Sequence, residues 1–430
     1  MKKKVNSAAI QMELIKYLTP KVRSIVTDDF DESLNYLSQY IDLNIEEIPS
    51  GTECWTWPIP QKWSLRHAKV KFKDEVILDG TEHALTVAPY SQSFSGSVTR
   101  EELIKHLRWS DKYPDAFVYE FRYAYNYQMK DWCLSMPLNR VNNLEEGKYE
   151  VDISTVLEDG SLKIGESFLQ GKNPETIIII SHLCHPGQSN DGVAGVVSAL
   201  RLFQSLADRS SLKYSYLFLA LPETIGSVAY LWKNFEKLNQ FKFGICVEMP
   251  GVDNPLCLKE SHIANSKIDK VARSVCKRRL PDKHKISSFW DAYGNDELVF
   301  SDPDINVPMI GVQHHDFPEY HTSRDSIDTI IPERLDETHH IMEEIIDIME
   351  KDYIPVKLFK GPLYLSRFNL YVDIFENLNL HVQIRKIMNK FDSSSSVFEI
   401  AEELGLDFHE LYDYLELWIN AGLLEKRLTT

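Results

Sequence analysis

Cysteine is scarce. The chain has six in 430 residues, at Cys54, Cys133, Cys184, Cys246, Cys257 and Cys276, with no C-x-x-C pair and no framework spacing. That excludes a small disulfide-stapled scaffold and makes free thiols in a reducing compartment the expectation. Long apolar runs are missing too: none reaches the roughly 18 residues that a membrane-spanning helix needs. Positive charge is in short supply. Asp and Glu number 64 against 47 Lys and Arg, for a net charge of −17, which disfavours nucleic acid and anionic membranes as partners. The opening stretch MKKKVNSAAIQMEL leads its lysines into an amphipathic pattern and not into the apolar core of a secretion signal. A cytoplasmic protein is therefore expected. Hydrophobic residues at 43% and charged residues at 26% are ordinary for a globular chain, and the length allows two or three domains.

Three textures follow one another. Residues 8–41 carry helical periodicity, enough for two or three helices. From about 50 to 155, short alternating runs such as HAKVKF, FVYEFRYAY and KYEVDIST are broken by Pro, Gly and Asp, which reads as all-β. From about 160 to 350, the apolar runs TIIII (176–180), YLFLAL (216–221), FGICV (243–247) and VPMIGV (307–312) alternate with helical patterns over 193–207, 226–238 and 333–352. Continuous β-branched runs alternating with helices predict a mostly parallel sheet covered by helices on both faces, an α/β fold. Residues 360–430 are helical, with the run Ser393–Ser396 marking a loop.

In an open α/β sheet, ligands bind beyond the carboxyl ends of the strands. Those ends are rich in one chemistry. His182, Cys184, His185 and Asp191 follow the first apolar run, Glu223 follows the second, Glu248 the third, and His314, His315, Asp316, Tyr320 and His321 the fourth. Each residue alone has a plain structural explanation: Asp191 as a helix N-cap, Glu223 as a carboxylate at a helix start, His182 as a hydrogen-bonded loop residue, His314 and His315 as solvated side chains. Glu248 is the exception, because a carboxylate directly after an apolar strand is costly unless paired or coordinated. Taken together the four strand ends predict a metal site. His182, Asp191, Glu248 and His321 can fill a zinc shell, Asp191 can bridge two metals, and Glu223 is then free as general base.

The motifs H-x-C-H-P at 182–186, N-D-G at 190–192, P-E-T-x-G-S at 222–227, V-E-M-P-G at 247–251, N-D-E at 295–297 and Y-H-T-S-x-D at 320–325 resemble those of the M28-type zinc aminopeptidases. The likeness is closest to a bacterial aminopeptidase-like subgroup, DUF4910, and covers roughly residues 160–350. The resemblance implies a zinc-exopeptidase-like core over 1–50 and 156–355, an inserted β domain over 51–155 and a winged-helix-like domain over 360–430. It implies His182, Asp191, Glu248 and His321 as ligands of one or two zinc ions, Glu223 as general base, and Asp296 as a residue that holds the substrate amine or a proton network. Two positions depart from the family pattern. Thr224 stands where a second glutamate ligand is usual, and Cys184 where an aspartate is usual. One zinc therefore remains as open as two. His185 is either a substitute ligand or an orienting group, and Cys184 a candidate thiolate ligand.

The chemistry expected is hydrolysis of an amide, most simply release of an N-terminal residue, with Tyr320 or Tyr293 as oxyanion donors. The substrate class is a peptide or a glycan-linked small molecule, the second because the resembling subgroup is associated with surface-polysaccharide genes. The C-terminal pattern FEIAEELGL followed by FHELYDYLELWINAGLLEK fits a helix-turn-helix. Its second helix carries Glu410, Asp413 and Glu416, which opposes a phosphate groove; a packing or homo-oligomer contact is expected there. The alternative is an impaired peptidase fold that binds an amino sugar or peptide without cutting it.

Overall fold

The computed structural model describes residues 2–126, 129–314 and 316–428. Its centrepiece is an eight-stranded sheet. In chain order the strands are β1 (Asn44–Pro49), β2 (Ser161–Leu169), β3 (Thr176–His182), β4 (Ser215–Leu221), β5 (Phe241–Glu248), β6 (Leu256–Lys259), β7 (His284–Ser287) and β8 (Met309–His314). They lie in the order β1-β2-β4-β3-β5-β8-β6-β7. The four apolar runs form the parallel centre, β4-β3-β5-β8. Every residue of β3 and β4 is buried. Since successive side chains point to opposite faces, both faces of these strands are covered.

The sheet as a whole is mixed, with four parallel and three antiparallel pairings. β1 and β2 join antiparallel at one edge, β2 runs antiparallel to β4, and β6 runs antiparallel to β8. Outside the centre only the pair β6-β7 is parallel, and neither strand is a long apolar run, so continuous apolar runs mark the parallel centre but not every parallel pair.

The early helical texture resolves into α1 (Ala8–Leu18) and a second helix at Asp28–Leu37. After β3 comes α2 (Gly195–Ala207), packed against β3, β4 and β5, and after β4 comes α3 (Ile225–Lys233). At Gly195 α2 passes close over the sheet. A Cβ there would sit 2.5 Å from both Ser181 Oγ and the Val247 carbonyl oxygen.

Residues 62–158 build a four-stranded antiparallel sheet from Glu75–Asp79, Lys62–Phe72, Lys148–Glu158 and Phe94–Thr99, in that order. HAKVKF and KYEVDIST are strands in it. FVYEFRYAY is not a strand: it makes one bridge, Val118 to Thr322, and then a short helix at Arg122–Tyr125. The backbone N–H of Tyr119 donates to the His321 carbonyl at 2.8 Å, so this segment is spent on the sheet rim and not on a β-ladder.

The chain divides into two compact units, Met1–Ser266 with Asp282–His340, and Lys267–Pro281 with Ile341–Thr430. Within the second, helices at Leu378–Asn389, Val397–Leu404 and Phe408–Asn420 accompany an antiparallel pair, Tyr353–Lys357 with Leu424–Leu428. Ser396 and Glu399 form a reciprocal capping box at the start of the middle helix. No helix among the described residues is long and apolar enough to cross a membrane.

Candidate metal centre

Four strand ends converge on one carboxylate. Asp191 stands in the wide turn Ser189–Ala194 that leads from β3 into α2. Its Oδ1 lies 3.4 Å from His182 Nε2, at the end of β3. Its Oδ2 lies 3.2 Å from His321 Nε2 and 3.9 Å from His185 Nε2. His182 Nε2 also meets Glu248 Oε2, at the end of β5, at 2.9 Å. Glu223, directly after β4 and Pro222, brings Oε2 to 3.6 Å from His185 Nε2. Ligand-type atoms of His182, Asp191 and Glu248 all lie within 4.8 Å of one another, as do those of His185, Asp191 and His321, and those of His182, Cys184, His185 and Glu223. The sequence-predicted ligands therefore come together, and His185 joins them.

The local backbone is built for this convergence. Asp191 (φ −78°, ψ 96°) and Gly192 (φ 98°) break the helical path. A Cβ at Gly192 would meet the His182 carbonyl at 3.2 Å and its ring at 3.3 Å. Three non-glycine residues at the rim sit in left-handed backbone: Thr224 (φ 60°), Met249 (φ 39°) and His321 (φ 57°). A β-branched residue at positive φ is strained, and such strain clusters at functional sites. The Asp325 carboxylate holds the turn by accepting the N–H groups of Asn190 at 2.7 Å and Asp191 at 2.9 Å.

Burial decides the electrostatics. His182 is fully buried and Asp191 and Glu248 nearly so. Burial alone would push the His182 pKa down, but the Glu248 carboxylate, with Asp191 and Cys184 close by, wins, and the imidazole is held well above its usual value. For Asp191 burial opposes charge, yet His185, His182 and His321 hold the carboxyl well below the ordinary range. Burial drives His185 well below its usual value. It raises Glu223 to about 8 and Glu248 to about 7, with His182 opposing each rise. The centre thus gathers more acid than its histidines neutralise.

Three ligand-type atoms, His182 Nδ1, Asp191 Oδ2 and His321 Nε2, are buried without a hydrogen-bond partner among the described residues. His321 Nε2 and Asp191 Oδ2 are 3.2 Å apart yet share no hydrogen bond. Orphaned buried polar atoms are costly, and imidazole nitrogen with carboxylate oxygen is the donor set that zinc takes. The residues fit a metal.

Other expectations land elsewhere. Asp296 is fully buried; its Oδ1 accepts the Thr224 N–H at 2.9 Å and the Ser227 hydroxyl at 2.6 Å, so it holds the turn that presents Glu223. Tyr320 is 39% exposed and stacks on His321 at 3.8 Å. Tyr293 stacks on Tyr320 at 6.0 Å. Cys184 is buried and its Sγ accepts the Glu223 N–H at 3.1 Å. His314 is not solvated: it is buried, with its ring nitrogens on the Asn254 carbonyl and the Thr338 hydroxyl. His315 lies outside the described residues.

Two contributors had no signal in the sequence. Tyr119 packs edge-on against His185 and His321, each at 5.0 Å. Arg23 is fully buried just after α1, and its guanidinium donates to the carbonyls of Leu18, Leu183, His185 and Gln188. It pins both ends of the loop that carries Cys184 and His185.

The model of the family described as "Domain of unknown function (DUF4910)" matches residues 12–352. A Clostridium acetobutylicum protein, provisionally named for polysaccharide biosynthesis with an aminopeptidase-like domain, is 29% identical over 408 residues, 93% of this chain and 92% of its own. A solved Clostridium acetobutylicum structure, provisionally named a peptidase, has a TM-score of 0.88 at 28% identity, over 98% of this chain and 96% of that one. A zinc aminopeptidase from Bacillus subtilis shares the fold, with a TM-score of 0.59 at 12% identity, over 80% and 95% of the two chains.

Proposed function

From a chain that belongs to the DUF4910 family, we propose a metal-dependent hydrolase of an amide bond, of aminopeptidase type. The observation that carries this reading is the pair of ligand sets sharing Asp191, with the Glu223 carboxyl, its pKa raised by burial, beside His185. His182, Asp191 and Glu248 would hold one zinc ion, and His185, Asp191 and His321 a second. His185 then supplies the ligand that Thr224 cannot. Bound zinc supplies Lewis acidity toward a carbonyl and toward water.

The chain's own groups do the rest. Glu223 takes a proton on its carboxylate from the attacking water and returns it to the leaving amine. Asp296 fixes the turn that aims Glu223. Tyr320, stacked on His321 and partly exposed, is positioned to donate to a developing oxyanion. The acidic surroundings favour a substrate with a free ammonium group. The relative named for polysaccharide biosynthesis supports a glycan-linked amide beside a peptide as the substrate class. We read residues 51–155 as an inserted β domain and 360–430 as a winged-helix-like packing module, with the cytoplasm as the working compartment.

Zinc per chain, measured on protein purified without chelator or His-tag, tests the reading together with release of amine from aminoacyl amides. Two equivalents are expected. Glu223→Gln is expected to keep them and lose roughly 10²–10⁴-fold in turnover. A chain that holds zinc but cuts no amide favours the second reading, a ligand-binding peptidase fold, for which Thr224 at a family ligand position is the specific observation.

A further inference from the structure

Beside the Glu223 turn lies a cleft of about 690 Å³ that the proposed chemistry leaves unused. Thr224, one residue from Glu223, forms part of its wall. A tight hairpin forms another part, made by Glu53–Cys54 paired with Trp57–Pro58. Trp55 occupies its tip at φ 53°, left-handed backbone that a bulky aromatic adopts only at a cost. Its ring meets Phe235 edge-on at 5.9 Å, and the two are 44% and 47% exposed. Trp290 stands over the cleft with 77% of its surface exposed. Aromatic faces left to water serve no core, and gathered in one cleft they mark a binding surface.

Charge narrows the occupant. Asp302 and Asp304 line the same cleft, tied by the Asp304 N–H to Asp302 Oδ1 at 2.9 Å. No Lys, Arg or His is among the described lining residues. Exposed aromatic faces attract cations through their quadrupole, and carboxylates add charge-assisted hydrogen bonds. An anionic ligand meets only repulsion there.

We propose that this cleft is an organic-cation subsite, which takes a primary ammonium or guanidinium group carried on an apolar stem or ring. The apolar part rests on Trp55 and Trp290, and the cation pairs with Asp302 and Asp304. Thr224 in the cleft wall directly follows Glu223 in the chain, and a substrate long enough to occupy both would have its cationic part in the cleft. That role in a substrate rests on the hydrolase reading; the binding itself does not. Two sources share the chemistry, an amino sugar and a basic amino-acid side chain.

The experiment is titration of the full metal-free chain, and of Glu223→Gln, by tryptophan fluorescence and calorimetry. The probes are glucosamine against N-acetylglucosamine, and lysine amide against norleucine amide, both Nα-acetylated so that the lysine ε-ammonium is the only charge in that pair. The charged member of each pair is expected to bind about tenfold tighter or more, with affinity falling as salt rises. Asp304→Asn and Trp290→Ala are each expected to lose about tenfold in that affinity with zinc content unchanged. Preference for glucosamine assigns the amino-sugar source and preference for lysine amide the side-chain source; either sustains the subsite. Equal binding within both pairs, no binding of any probe, or full affinity in both variants overturns it. Cation binding without amide hydrolysis removes the hydrolase reading and leaves the subsite standing. Hydrolysis without cation preference removes the subsite alone.

Discussion

Asp191 shows how one side chain organises a centre: one of its oxygens faces His182, the other faces His185 and His321, and the backbone behind it is held by Asp325. In the proposed two-zinc site, His185 is the ligand that decides between one metal and two. His185→Ala is expected to lower zinc from two equivalents to one, whereas His182→Ala or Glu248→Ala empties the other set; equal zinc content in all three variants would remove the two-set assignment. Arg23 acts at a distance. Replacing it by Met leaves several buried carbonyls without donors, at a cost of about 2–4 kcal/mol in stability, and frees the loop bearing His185. Zinc affinity is expected to fall in Arg23→Met even at temperatures where the fold persists, and a variant that unfolds earlier yet binds zinc with native affinity would confine Arg23 to a structural role. Residues of this second kind are the ones the sequence hides. His182, Asp191, Glu223, Glu248 and His321 follow apolar strands, so strand-end logic finds them. Arg23 and Tyr119 follow no strand of the sheet and become neighbours of the site only through tertiary packing.

At the scale of elements, the parallel centre was readable because β3, β4, β5 and β8 are each a continuous apolar run. The antiparallel edges were not, since β1 and β6 carry Glu or Lys and obtain their register from partners far along the chain. FVYEFRYAY alternates like a strand, yet its polar and aromatic residues answer to the rim: Glu120 pairs with Arg108 and Arg122, and Tyr119 faces the histidines. Local alternation cannot reveal a partner some two hundred residues away. α2 crosses close over β3 and β5 at Gly195. Ser181 adjoins His182 and Val247 adjoins Glu248, so a side chain at Gly195 is expected to shift both proposed ligands. Gly195→Ala is expected to cost about 1–3 kcal/mol through overpacking and to weaken zinc binding with it. Native zinc affinity in a destabilised Gly195→Ala protein would show that the strand ends are held independently of this crossing.

Across the whole molecule, the buried centre ties stability to pH and metal. Burial raises Glu223 to about 8, and Glu248 and Asp325 to about 7, and His182 is held above its usual 6.5 by Glu248 despite its burial. In each case the folded chain binds its proton more tightly than the unfolded chain. Stability then falls as pH rises through the folded value, because the slope follows protons bound in the unfolded state minus those bound in the native state. His185 has the opposite sign, since its folded value is depressed, but its contribution is complete once pH exceeds 6.5. Asp191, also depressed, has finished titrating well below that. Between pH 6.5 and 8 the remaining terms therefore share one direction, and the metal-free protein is expected to lose stability steadily across that window. Zinc held as proposed is expected to reverse the slope. It would bind deprotonated carboxylates and neutral imidazoles of the folded chain, so its stabilisation would grow with pH as protons cease to compete. Denaturant midpoints at pH 6.5 and 8, with chelator and with excess zinc, check both halves. A chelated protein that is equally stable at the two pH values would mean that these carboxyls are not buried together as charged groups, and a zinc-loaded protein with the same falling profile would mean that the ion is held somewhere other than among them.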